Sequence, residues 1–204
     1  AYNVVVTGAH PEYWTRPMLE ALEAYLDQGG RMMYLGGNGF YWVTAIDAED
    51  DTLMEIRRWG GTRQWHAEPG EETISLTGEI GGIWRDRGRA PQKMLGVGFT
   101  AMGWDRGSPY VRKPDSYDPR AAFIFEGIES EVIGDIPALV LNHGAAGFEV
   151  DKANPALGTP AHTLVLASTD YHTDAYHLCV EEIHAATRNV GSVSDRVGAD
   201  MVFL

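Results

Sequence analysis

The feature that most constrains the fold is the order of patterns in the first 35 residues: an apolar run, an amphipathic segment, a second apolar run. Asn3-Val4-Val5-Val6-Thr7 reads as a buried strand. Thr15 predicts a helix N-cap, with Pro17 tolerated in the first turn. Met18, Leu19, Leu22, Tyr25 and Leu26 recur at helical spacing, and Gly29-Gly30 supplies the stop. Arg31 to Leu35 is then a second strand. Strand, helix and strand so closely linked make a βαβ unit, whose strands must run parallel. The expected class is therefore α/β, a mainly parallel sheet with flanking helices. In such sheets ligands sit beyond the carboxyl ends of the strands. Two aromatic loops, Gly8 to Thr15 and Gly36 to Trp42, follow strand ends here.

Further strands are expected at Leu53 to Trp59, Ala121 to Phe125, Ala138 to Asn142, Thr163 to Ser168 and the terminal Ala199 to Leu204. A helix is expected from Thr173 to Ala186. Between Gly60 and Gly107 helical signals are sparse and glycine is frequent, as befits turns and short strands around a functional region. The chain holds 24 glycines in 204 residues, well above the usual ~7%. No repeat or linker divides it, so residues 1–204 read as a single α/β domain. Both ends lie in apolar runs, which natural termini rarely do. The expectation is a fragment of a longer polypeptide.

Acids outnumber bases 29 to 16, a net charge of −13. That argues against nucleic acid or an anionic membrane as partner, since phosphates call for clustered Lys and Arg. No run approaches the ~20 apolar residues of a membrane span, and no signal peptide is visible, so the cytoplasm is the expected location. One cysteine, Cys179, rules out an internal disulfide and a Cys-based zinc cluster.

The strand-end loops gather His10, Glu12, Tyr13, Asn38 and Tyr41. Two readings stay open. In one, the aromatics are core plugs whose hydroxyls find partners. In the other, phenols ligate a metal, and with a reference pKa near ~10 that needs a strong Lewis acid such as Fe(III). Two phenolates and one carboxylate would balance its charge. Glu79, in Gly78-Glu79-Ile80-Gly81-Gly82, is a candidate carboxylate. Glu149, shortly after an expected strand end, reads as a general base or an ordinary acid. Arg85, Arg87 and Arg89 read as a structural ion-pair loop. His10, His143, His172, His177 and His184 leave a zinc hydrolase as an alternative, although no His-Glu-x-x-His pattern is present. A non-catalytic assembly or binding module is the other alternative.

Gly8-Ala9-His10-Pro11-Glu12-Tyr13-Trp14-Thr15, Tyr34 to Trp42, Thr77-Gly78-Glu79-Ile80-Gly81-Gly82-Ile83-Trp84-Arg85 and Gly88-Arg89-Ala90-Pro91-Gln92 resemble the catalytic domain of the N,N-dimethylformamidase large (beta) subunit family. The resemblance spans nearly the whole chain. It implies a class I glutamine-amidotransferase-like (flavodoxin-like) core, without that class's usual cysteine at the Gly36-Gly37-Asn38-Gly39 turn. It implies hydrolysis of a small N-substituted amide to amine and carboxylate by a mononuclear, ferric iron held by Tyr13, Tyr41 and Glu79. Glu149, Asp105, Asn38 and His10 are then the catalytic candidates. A small partner subunit and an oligomer are implied as well. Thr77 departs from the pattern where a polar neighbour, an imidazole in some members, is expected beside the ligand carboxylate.

Overall fold

Thr15 does begin a helix: its Oγ1 accepts from the Met18 N–H at 3.3 Å, and α1 spans Arg16–Asp27 with Pro17 in its first turn. Leu19 and Leu22 form its buried face, which is why a short helix holds in water. Gly29, at φ +83°, turns the chain away with its N–H on the Leu26 carbonyl. The computed structural model describes residues 2–60, 68–137, 143–169, 171–181, 191–192 and 196–204. They divide into two compact units, Ala1–Pro91 with Val180–Gly191, and Gln92–Cys179 with Ser192–Leu204.

In the first unit, β1 (Val5–Val6) and β3 (Met32–Met33) flank α1 and pair in parallel, as expected. They are not buried, however: Val6 and Met33 are each more than half exposed. A second sheet has the order β2 (Tyr13–Trp14), β4 (Trp42–Ile46), β5 (Met54–Ile56). Here β2 runs parallel to β4, in register Tyr13↔Trp42, and β5 runs antiparallel to it. Phe40, Trp42, Val43, Ile74, Ile83 and Trp84 are the buried centre. Trp14 and Phe40 rings meet edge-on at 4.1 Å, and the Trp84 indole N–H donates to the Trp14 carbonyl at 3.0 Å. Each buried aromatic thus has a polar or quadrupolar partner.

The second unit opens with the short helix α2 (Gln92–Leu95) and the long strand β6 (Gly98–Ser108). There follow β7 (Tyr110–Arg112), β8 (Val132–Ile133), β9 (Ala146–Lys152), β10 (Leu164–Thr169), β11 (His177–Leu178), β12 (Val180–Glu181), β13 (Gly191–Ser192) and β14 (Asp200–Phe203). β12 belongs by its contacts with the first unit, as does Gly191 of β13. One sheet orders β11-β6-β9, the other β14-β10-β7-β8, and their pairings are antiparallel. Small cores lie against them: Ala101, Ala146, Val150, Tyr176 and Ala199 in one case, Ala121, Phe125, Leu164 and Leu166 in the other.

This overturns the expected fold class. The sheets are mixed and mostly antiparallel with few helices, not a parallel flavodoxin-like, class I glutamine-amidotransferase-like core. Only β1–β3 and β2–β4 run parallel among the described pairs. The strand expected at Ala121–Phe125 is instead a 3₁₀ turn over Ala122–Phe125. Only Ala121 and Phe125 are buried there, a helical spacing of four, while Phe123 is exposed. The helix expected from Thr173 to Ala186 is absent from its described part, where His177 and Leu178 pair with Met102 and Ala101 of β6. Short apolar runs carry no decisive period, so partner strands decide them. The expected strand at Ala138–Asn142 and His184 lie outside the described residues. No described helix is long and apolar enough to cross a membrane.

Candidate functional site

The two aromatic loops of the first unit are joined backbone to backbone. Gly37 N–H donates to the Ala9 carbonyl at 3.1 Å, Phe40 N–H to Pro11, and the Tyr41 and Trp42 N–H groups both to the Glu12 carbonyl at 2.9 and 2.8 Å. A Cβ at Gly36 would lie 2.0 Å from the Ala9 carbonyl oxygen, so only glycine permits this approach. Asn38 and Phe40 take left-handed backbone, with φ of +57° and +56°. Such conformations cost energy outside glycine and concentrate at functional sites.

A third segment docks on the same strand. Trp42 bridges Ile83, the Val43 N–H donates to the Gly82 carbonyl, and the Trp84 N–H donates to the Tyr41 carbonyl. Gly82, at φ +88°, presses its backbone on the Trp59 carbonyl, where a Cβ would sit 2.3 Å away. The turn carrying Glu79 is closed by the Ile74 N–H on the Glu79 carbonyl at 2.7 Å. Segments bearing Tyr13, Tyr41 with Asn38, and Glu79 are therefore hydrogen-bonded neighbours of β4.

Their side chains keep cationic company. Arg58 Nη2 donates to the Tyr13 hydroxyl at 2.7 Å, and its guanidinium lies over the Trp42 ring at 5.3 Å. Glu79 Oε1 accepts from Arg16 through both Nε, at 3.0 Å, and Nη2, and it faces Arg87 Nη1 at 3.5 Å. Burial first, then repulsion from Arg16, holds Arg87 below its ordinary value, against the pull of Glu79. Tyr41 is buried, 3% exposed, its ring edge-on to Trp42. Asn38 is buried in the same turn and His10 is exposed on the first loop. Asp105 and Glu149 belong to the second unit, Asp105 exposed in β6 and Glu149 half-buried in β9 opposite Met102.

The donor chemistry fits a hard cation of high charge: two phenols and a carboxylate are oxygen ligands. Two of them already hold positive guanidinium groups, so a metal taking Tyr13 and Glu79 would displace Arg58 and Arg16. These arginines were not expected from the sequence. Their signal is the Arg57-Arg58-Trp59 cluster and the Arg16 that begins α1. The expected ion-pair loop is present, with Arg89 spanning to Glu20 and Glu23 at 3.6 Å. Of the histidines, His172 is half-buried in the second unit, where burial holds it down at about 4, and His177 lies in β11.

A mixed fold with an oxygen-rich, arginine-lined loop cluster describes a class of site more than a protein. Comparison of the sequence is more specific: residues 1–204 match the family model described as N,N-dimethylformamidase beta subunit-like, C-terminal, and the chain belongs to that family. It is similar to the N,N-dimethylformamidase beta subunit of Paracoccus aminophilus, 46% identical over 176 residues, 86% of this chain. The beta subunit of the same name from an Alcaligenes species is equally similar, 46% over 176 residues. The chain spans 23% of the length of these relatives.

Proposed function

We propose that this chain forms part of an amidohydrolase that cleaves a small N-substituted amide, such as N,N-dimethylformamide, to amine and carboxylate. The observation that carries the reading is the backbone ladder around β4, with the Gly82–Val43 and Trp84–Tyr41 hydrogen bonds. It sets the segments of Tyr13, Tyr41 and Glu79 beside one another in a chain belonging to a dimethylformamidase-type family. In this reading Tyr13, Tyr41 and Glu79 hold a ferric ion. Bound there, the ion would polarise the amide carbonyl and lower the pKa of water.

The chain's own groups then handle position and protons. Water adds its oxygen to the carbonyl carbon, the C–N bond breaks, and the leaving nitrogen takes a proton. His10, exposed on the loop that carries Tyr13, is the imidazole suited to accept that proton and return it. Asn38, buried in the turn leading to Tyr41, offers an amide to orient the substrate. The relatives are beta subunits by name, and we extend that to this chain: it works with a small partner subunit in an oligomer. Its buried lone thiol, Cys179, suits a reducing compartment, and the cytoplasm is the proposed location.

The pairing of Glu79 with Arg16 and Arg87 favours one rival, a non-catalytic binding domain in which those charges are structural. Iron loading of the assembled protein separates the two. The catalytic reading expects bound iron, a visible tyrosinate-to-iron absorption band, and loss of both in Tyr41→Phe and Tyr13→Phe. Colourless protein, or undiminished iron in Tyr41→Phe, sinks the metal assignment. Release of amine from N,N-dimethylformamide tests the reaction itself.

A further inference from the structure

Strands β6 and β9 of the second unit shift register once between Phe99 and Ala101, pair up to Gly103↔Phe148 and resume only at Ser108↔Ala146. Five steps along β6 (103 to 108) match two along β9 (148 to 146), so three extra residues are thrown out between Gly103 and Ser108. A bulge this large disrupts the ladder and re-aims side chains, which is why bulges gather beside binding sites. Opposite it, Phe148 sits at φ +59°, a strained conformation for a bulky residue. The bulge is held firmly. Its Gly107 lies so close to the loop behind that a Cβ would be 2.2 Å from the His143 carbonyl oxygen. Trp104 packs its ring on Phe148 at 4.9 Å.

Beside this bulge is a cavity of about 250 Å³, lined by Arg106, Ser108, Pro109 and Val111 on one side and by Tyr171 and His172 on the other. Arg106 makes no ion pair or hydrogen bond among the described residues, although acids outnumber bases 29 to 16 in the chain. The wall behind it is neutral. His172 Nε2 lies 3.0 Å from the Thr169 hydroxyl, its ring stacks on Tyr176 at 4.4 Å, and burial keeps it uncharged at neutral pH. Ser108 is buried, with its hydroxyl on the Pro109 carbonyl at 3.2 Å. Pro109, Val111 and the Tyr171 ring supply apolar surface. One cation at the mouth of a small cavity, with neutral polar and apolar walls, matches a single negative head on a short apolar tail.

We propose that this bulge cavity is a binding site for short-chain monocarboxylates, Arg106 being the anchor for the carboxylate. The site lies within the second unit and does not depend on the iron reading of the first. A ligand the size of butyrate can bury few atoms, so its dissociation constant is expected on the order of 1 mM. A guanidinium–carboxylate contact of ordinary strength makes loss of the charge worth roughly tenfold or more.

The test is titration of the whole protein with butyrate, followed by calorimetry and by amide chemical shifts. The expected result is saturable binding with shifts confined to residues 106–111 and 171–173, weakened tenfold or more by Arg106→Gln. Because Arg106 is exposed, that variant is expected to keep its fold, and an unchanged amide spectrum elsewhere checks this. Butyramide and butylamine, of the same shape without the negative charge, are expected not to bind. Absence of saturation, equal binding of butylamine, or unchanged affinity in Arg106→Gln overturns the proposal.

Discussion

Glu55 is the acid whose removal should be felt most in the first unit. Its Oε1 accepts from the Ser75 N–H at 3.0 Å, the Ser75 hydroxyl at 2.8 Å and the Arg57 Nε at 2.7 Å, while Oε2 takes the Leu76 N–H at 3.0 Å. Burial opposes the charge, but these donors outweigh it and hold the carboxyl at about 2, down from 4.5. At ~1.4 kcal/mol per tenfold change in proton affinity the depression is worth roughly 3 kcal/mol, and solvent around the pair reduces this to about 1.5 kcal/mol. The folded-state pKa lies below the unfolded one. The stabilisation is therefore complete above pH 4.5 and fades as pH falls towards about 2. Glu55→Gln keeps the shape and one acceptor but loses the charge. It should lower stability by about 1.5 kcal/mol at pH 7 and by only about 0.5 kcal/mol near pH 3. Global unfolding mixes two units, so hydrogen exchange of the Ser75 and Leu76 amides is the sharper readout. A gap that stays the same at both pH values, or exchange rates at these amides unaffected by the variant, would refute the reasoning.

Gly36→Ala should destabilise the first unit by about 2–3 kcal/mol, since the added carbon meets the backbone of the neighbouring loop. Urea midpoints measure it, and a neutral result would mean the loops separate easily. His172, half-buried and neutral, should titrate by NMR near 4, not near 6.5. Its stabilising contribution is full above pH 6.5 and is lost as pH falls through about 4, and a variant His172→Phe should remove that part of the acid sensitivity.

The helix Arg16–Asp27 is legible in the sequence because its cap, its period and its glycine stop are all local. The parallel pairing of β1 with β3 is likewise a short-range inference. What escapes is non-local. Whether Tyr176 to Cys179 coil or extend is decided by β6, more than 70 residues earlier, whose Thr100 carbonyl receives the Cys179 N–H. Periodicity in so few residues cannot report that partner. The site divides in the same manner. The loop residues Tyr13, Asn38 and Tyr41 stand out through their aromatic and glycine context. Arg58 reaches Tyr13 from 45 positions away, and its place in the Arg57-Arg58-Trp59 cluster does not name that partner. Neither does the bulge at Arg106, because an extra residue in a strand is visible only against its partner.

The contact of Gly36 with Ala9 bears on how this protein can be altered. The two loops are fastened through main-chain atoms, so their spacing is set without help from the side chains of Tyr13 and Tyr41. The pair behaves as a chassis with exchangeable fittings. Replacing Tyr13 by histidine, glutamate or phenylalanine, or the buried Tyr41 by phenylalanine, changes the chemistry on offer while the anchoring points stay where they are. A panel of such replacements would read ligand preference directly, with little confusion from shifting loops.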